Sequence, residues 1–157
     1  MDKIKLISPG RCHEAAVMDY KSEFEQHEEN MDGSGMLGMA KTFDEWFSML
    51  KDNEHEETVQ EGYVPANTYL AVRMSDDHVI GTISIRLRLN EYLAAYGGHI
   101  GYSVRPGERQ KGYAKEMLRL ALQKCKELGI EKVLITCDKE NIASARTILA
   151  NGGGLES

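Results

Sequence analysis

The chain has 157 residues, 41% apolar and 28% charged, proportions that suit one globular domain and exclude a disordered segment. Its 19 basic and 25 acidic side chains leave a formal net charge of −6, the wrong sign for a protein held mainly by phosphate backbones, so nucleic acid is not an expected partner. No stretch approaches the roughly 18 consecutive apolar residues that a bilayer span needs, and the N-terminus shows no signal-peptide core, which points to a cytoplasmic chain without a membrane partner.

In chain order, Lys3 to Ile7 alternates like a short strand, and Ser8-Pro9 then offers a cap and a helix-compatible first residue. A helix is predicted from Cys12 to about Glu28, with Ala15, Ala16, Val17, Tyr20 and Phe24 inward and Lys21 among the residues outside. It breaks at Gly33-Ser34-Gly35. A second helix is predicted from Thr42, where Thr42-x-x-Glu45 forms a capping box ahead of Trp46, Phe47, Met49 and Leu50. The acidic stretch Asp52 to Gly62 reads as either a solvated turn or the frayed end of that helix.

Tyr69 to Arg73 and Val79 to Leu89, joined by Ser75-Asp76-Asp77, read as a hairpin. In its second strand Ile83, Ile85, Leu87 and Leu89 share one face, while Thr82, Ser84, Arg86 and Arg88 share the other, which predicts a polar sheet face. His99 to Val104 is a further strand, ended by the turn Arg105-Pro106-Gly107. The spacing of Ala114, Met117, Leu118, Ala121, Leu122, Cys125 and Leu128 predicts a long helix ending at Gly129. A buried strand over Lys132 to Cys137 and a last helix from Asn141 to Asn151 complete an α/β order, α+β-like in its hairpin, around a mixed sheet in one domain. Cys12, Cys125 and Cys137 are odd in number and far apart, so they read as small buried residues and suggest neither a disulfide scaffold nor a zinc site.

Chemistry concentrates in Arg109-Gln110-Lys111-Gly112-Tyr113-Ala114, between a strand end and the long helix. A helix start aims several unpartnered N–H groups at one point, and the helix dipole reinforces them, so an anion is favoured there. Gly112 removes a side chain that would hold a phosphate away, and Arg109 and Lys111 add positive charge.

Arg109-x-x-Gly112-x-Ala114 after a strand resembles the acyl-CoA pyrophosphate loop, Gln/Arg-x-x-Gly-x-Gly/Ala, of the GNAT superfamily of N-acetyltransferases. Ile100 to Pro106 is similar to the family's fourth strand, Val133 to Cys137 to its fifth, and Asn141-x-x-Ser144 to the start of its next helix. The N-terminal half agrees in element order. The resemblance implies a central mixed sheet with helices on both faces and acetyl-CoA as cosubstrate. Main-chain groups of Arg109, Gln110, Lys111, Gly112, Tyr113 and Ala114 would hold the pyrophosphate, with Lys115 beginning the supporting helix. Tyr102 and Val104 would bond the pantetheine arm, and Asn141 and Ser144 would face it; an Asn at a helix start is also an ordinary cap.

The implied reaction is direct transfer of the acetyl group to a primary amine, with a small molecule as acceptor. The alternatives are a non-catalytic acyl-CoA-binding or regulatory module, and an acetyltransferase acting on a protein N-terminus or lysine. An amine with pKa near 10.4 is neutral in about one molecule in a few thousand at pH 7, so a base is expected. His99 stands where the family often places it, with Glu91 second through a carboxyl raised by burial. Many members carry a tyrosine in the last helix as acid for the departing thiolate; here that position is Ile148. On the acceptor side the resemblance points to the loop between the first two helices, where Glu28, Asn30 and their acidic neighbours Glu29 and Asp32 suit a cationic amine, while Arg86 and Arg88 would either oppose such a substrate or bind a carboxylate on it.

Gly33-Ser34-Gly35-Met36-Leu37-Gly38 spells a dinucleotide motif, but an acidic helix, not a strand, precedes it. No HExxH or comparable ligand spacing suggests a metal. The family pattern calls for two further strands after Asn151, where six residues remain. The chain is therefore expected to be C-terminally short, with an exposed fifth-strand edge inviting a homodimer.

Overall fold

In a computed structural model, which describes residues 2–94, 98–135, 148 and 151, four strands form one sheet in the order β1-β2-β3-β4. The strands are β1 (Ile4–Ile7), β2 (Ala66–Arg73), β3 (His78–Arg86) and β4 (Ile100–Val104). Among the described residues every strand pairing is antiparallel. The helices are α1 (Glu14–Gln26), α2 (Phe43–Asp52) and α3 (Tyr113–Glu127).

The sheet separates two apolar layers. On one face Val17, Tyr20 and Phe24 of α1 and Phe43, Trp46 and Leu50 of α2 cover Leu70, Val72 and Val79. On the other, Met117, Leu118, Ala121 and Cys125 of α3 cover Tyr69, Ala71, Ile83, Ile85, Ile100 and Val104. Helices thus stand on both faces, as the periodicities require. A bulge leaves Ile80 without a partner in β2 between Ala71↔Gly81 and Val72↔Val79, and the alternation of β3 resets there.

Several sequence expectations change. Ser8-Pro9 caps nothing; a 3-10 turn over Arg11–His13 leads into α1, and Gly10 N–H donates to His13 Nδ1 at 2.8 Å. Ala15 is exposed, whereas Lys21 is buried along its stem and its ammonium donates to Ala40 O. Thr42 does cap α2, accepting from Glu45 N–H at 3.1 Å.

The polar face of β3 is not a solvent face. Thr82 and Ser84 are buried beneath α1 and the segment after it, and small hydroxyls satisfy one another there. Thr82 Oγ1 lies 3.1 Å from Ser103 Oγ, which meets Tyr20 OH at 2.8 Å. Ser84 Oγ donates to Gly33 O at 2.9 Å and lies 2.7 Å from Thr68 Oγ1. β3 ends at Arg86, three residues before the predicted Leu89, and Arg88 leaves the sheet to pair with Glu56. The predicted fifth strand lies partly outside the described residues; within them, Ile135 makes one antiparallel bridge with Gly98.

Candidate active site

The site is built where β4 runs into α3. The carbonyl of His99 and the N–H of Arg105 both face β3, bonding Arg86 N–H and Ile80 O. By strand alternation, the main-chain groups of Tyr102 and Val104 face the opposite edge. That edge forms one wall of a cleft of about 560 Å3, whose lining includes Tyr102, Ser103 and Val104. A second wall is the start of α3, with Arg109, Gln110, Gly112, Tyr113, Ala114 and Lys115. The first intrahelical bond runs from Glu116 N–H to Gly112 O, so the N–H groups of Tyr113, Ala114 and Lys115 precede the helical ladder. Gln110 (φ 63°) and Gly112 (φ 87°) are both left-handed, which turns the chain sharply into the helix.

The third wall is Glu29, Asn30 and Asp32, carried by the segment after α1. It reaches β4 because Gly33 lies directly on Gly101: a Cβ there would come within 2.1 Å of Gly101 O and 2.6 Å of Tyr102 Cα. The Gly-Ser-Gly run is thus a close backbone crossing. Trp46 Nε1–H holds Ser34 O at 2.7 Å and fixes the segment from the other side.

The loop cations are engaged by carboxylates. Arg105, nearly fully buried, donates from Nη1 to Asp19 (2.9 Å) and Glu23 (3.3 Å), and Glu23 also accepts from Gly107 N–H at 2.7 Å. The Arg105 Nε has no hydrogen-bond partner among the described residues. Arg109 pairs with Glu29. Lys111 pairs with Glu108, which also accepts from Arg73 at 2.8 Å. Burial would raise the Glu108 carboxyl, but the hydrogen bonds from Lys111 and Arg73 outweigh it and hold the pKa below its usual value.

The two base candidates fare differently from their expected roles. His99 is buried, and its Nδ1 accepts from Leu134 N–H at 3.0 Å while its main-chain N–H donates to Leu134 O at 2.7 Å. The Nδ1 lone pair is therefore spent on a backbone donor, and the neutral ring carries its proton on Nε2. Burial, and then the charge of Arg86, push its pKa down. This arrangement suits a tether between the 134–135 segment and the sheet, not a proton acceptor in the cleft. Glu91 is exposed in the β3–β4 connection, and neither residue lines the cleft.

Of the predicted acceptor residues, Asn30 lines the cleft and Glu28, exposed with φ 53°, does not. Arg86 donates to Gly98 O at 3.0 Å; burial lowers its pKa and Asp32 acts against that shift. Asn141 and Ser144 lie outside the described residues. Ile148 packs against the α3 core, leaving no hydroxyl at that place. Sequence reasoning missed Ser103 and Glu108 as lining residues, and of the acceptor-side residues it named, Glu29, Asn30 and Asp32 line the cleft while Glu28 does not. Only the strand alternation of Ser103 was legible beforehand. Among the described residues no cluster of three metal-ligating side chains occurs, and no helix is long and apolar enough to cross a membrane.

This sheet, with the start of α3 beside β4, has the fold of solved acetyltransferases. One is the ribosomal-protein-S5-alanine acetyltransferase from Vibrio fischeri, 18% identical, with 95% of this chain and 77% of that one covered at a TM-score of 0.65. Another is RimL, a ribosomal L7/L12 alpha-N-protein acetyltransferase solved with coenzyme A (17%; 98% and 81%; 0.65). A third is the microcin C7 self-immunity acetyltransferase MccE, solved with acetyl-CoA and AMP (16%; 97% and 79%; 0.61). No curated protein matches the sequence. Residues 12–153 match the family described as "Acetyltransferase (GNAT) domain", and the chain belongs to that family.

Proposed function

We propose that the chain transfers the acetyl group of acetyl-CoA directly to a primary amine, with a cationic small molecule as acceptor. The observation that carries this reading is one cleft bounded by the outward edge of β4, the bare N–H groups at the start of α3, and the acidic segment after α1. These residues fit an acyl-coenzyme A. The N–H groups of Tyr113, Ala114 and Lys115, with the left-handed turn at Gly112, suit the pyrophosphate. Tyr102 and Val104 offer an amide arm the hydrogen bonds of an added strand; the Val104 carbonyl already accepts from Arg109 Nε at 3.1 Å, so Val104 contributes its N–H.

Acetyl-CoA supplies an activated thioester; the chain supplies position, which is worth on the order of 7 to 11 kcal/mol in well-aligned reactions. Among the described residues Asp32 is the lining carboxylate outside any ion pair, so it is the group that would hold an incoming ammonium and, through water, take its proton. Ile148 offers no acid, so the departing thiolate would take its proton from solvent or from a wall hydroxyl such as Ser103. The protein-directed neighbours favour a second reading, in which a protein N-terminus enters the same acidic wall.

Release of free thiol from acetyl-CoA is the test, run against a panel of small amines and of peptides with free N-termini. Turnover with small amines supports the first reading, and turnover with peptides alone supports the second. Binding of acetyl-CoA without turnover on either panel would leave a non-catalytic module.

A further inference from the structure

Of the carboxylates that hold the loop cations, Glu23 and Glu108 also tie down other parts of the scaffold, through Gly107 N–H and Arg73. Glu29 does not. It sits on the segment after α1, 39% exposed on its side chain, and both its oxygens accept from Arg109 Nη1, at 2.8 and 3.0 Å. Arg109 is fixed from behind: Nε donates to Val104 O, and the guanidinium stands 5.7 Å over the Phe24 ring. The exchangeable member of the pair is therefore the carboxylate. Carboxylate and phosphate oxygens offer a guanidinium the same charge-assisted acceptors.

We propose that Glu29 is an affinity-determining residue that occupies the place of a ligand phosphate on Arg109. This rests on the acyl-coenzyme A reading above. When the phosphate end of the cosubstrate enters between β4 and α3, it displaces Glu29, and the lost pair is subtracted from the binding. Residues lining a site normally weaken binding when neutralised; Glu29 acts in the opposite sense. For an ion pair of this exposure the expected gain is about two- to fivefold in affinity.

The experiment titrates coenzyme A by calorimetry into the wild type, Glu29→Gln and Glu25→Gln at low salt. Glu25 is an exposed carboxylate of α1 away from the cleft lining, so its variant removes one negative charge without touching the pair. Tighter binding to Glu29→Gln by about two- to fivefold, with Glu25→Gln close to wild type, is the expected result. Glu29→Asp, whose shorter arm loses the contact while keeping the charge, should also tighten binding. Unchanged or weaker binding to Glu29→Gln, or an equal gain in Glu25→Gln, overturns the proposal. A wild type that binds no coenzyme A would sink the functional reading first, and this inference with it.

Discussion

The crossing of Gly33 over β4 makes a sharp demand on the chain, and Gly33→Ala tests it. The substitution acts twice. At φ 69° an L side chain costs about 1–2 kcal/mol by backbone sterics alone. Its methyl would also stand 2.1 Å from Gly101 O, a backbone atom that cannot swing aside because Gly101 pairs with Ser84 across the β3–β4 ladder. Relieving that overlap means lifting the segment off β4 and breaking the Ser84 Oγ–Gly33 O bond, so the whole substitution should cost about 3–5 kcal/mol. For a chain of this size each kcal/mol is worth about 2–4 °C, so the melting temperature should fall by about 6–20 °C. Gly62→Ala is the matched control: its φ is 88° but a Cβ there meets nothing within 4 Å, so only the backbone cost of about 1–2 kcal/mol applies. Paired thermal or urea unfolding reads the difference directly. Equal losses in the two variants would show that Gly33 makes no close approach to β4, and the placement of Glu29, Asn30 and Asp32 on the cleft wall would lose its support.

Three further outcomes are expected. His99 has a pKa lowered by burial and by Arg86, so the unfolded chain binds its proton more readily; its contribution is fully present above pH about 6.5 and is lost as pH falls below it. Urea unfolding from pH 7.5 to 5 should therefore show a shallower loss of stability in His99→Leu than in the wild type, and identical slopes would refute the buried neutral ring. Gly112→Glu places a charged side chain at φ 87° on the anion-facing turn; acetyl-CoA should no longer raise its melting temperature, while the ligand-free protein melts only about 2–8 °C lower. A retained ligand shift would move the phosphate site elsewhere. Cys12 is exposed and Cys125 is buried with its thiol pKa raised, so peptide mapping after brief alkylation should find Cys12 modified and Cys125 intact until denaturant is added.

How far these features could be read in advance depended on whether the deciding contact was local. The α3 helix and the β2–β3 hairpin were legible because Met117, Leu118, Ala121 and Cys125, or Ile83 and Ile85, repeat at the spacing of their own element. The turn into α3 was legible because Gly112 and the helix start are adjacent in sequence. By contrast, a threonine and serine stripe on β3 looks the same whether it meets water or a second set of hydroxyls. Its burial is decided by Tyr20, Thr68, Gly33 and Ser103, which arrive from other elements. The surroundings of His99 were hidden for the same reason: the residue type suits a base, and the Leu134 N–H that uses its lone pair lies 35 positions away.

Charge shows the same division. The stretch from Arg105 to Lys115 holds Arg105, Arg109, Lys111 and Lys115 against Glu108 alone, which in an acidic chain reads as a basic anchor for an anion. Folding brings Asp19, Glu23 and Glu29 onto that stretch from 80 or more positions away, and with Glu108 they neutralise three of its four cations. What remains directed into the cleft is the set of main-chain N–H groups at the start of α3. Such donors cannot be screened away at contact distance or mutated by side-chain exchange. On the reading proposed above, a site built this way would hold a phosphate mainly by geometry, and its side-chain charges would then set how tightly: Glu23 by keeping the turn before Arg109 in shape, and Glu29 by competing for Arg109 itself.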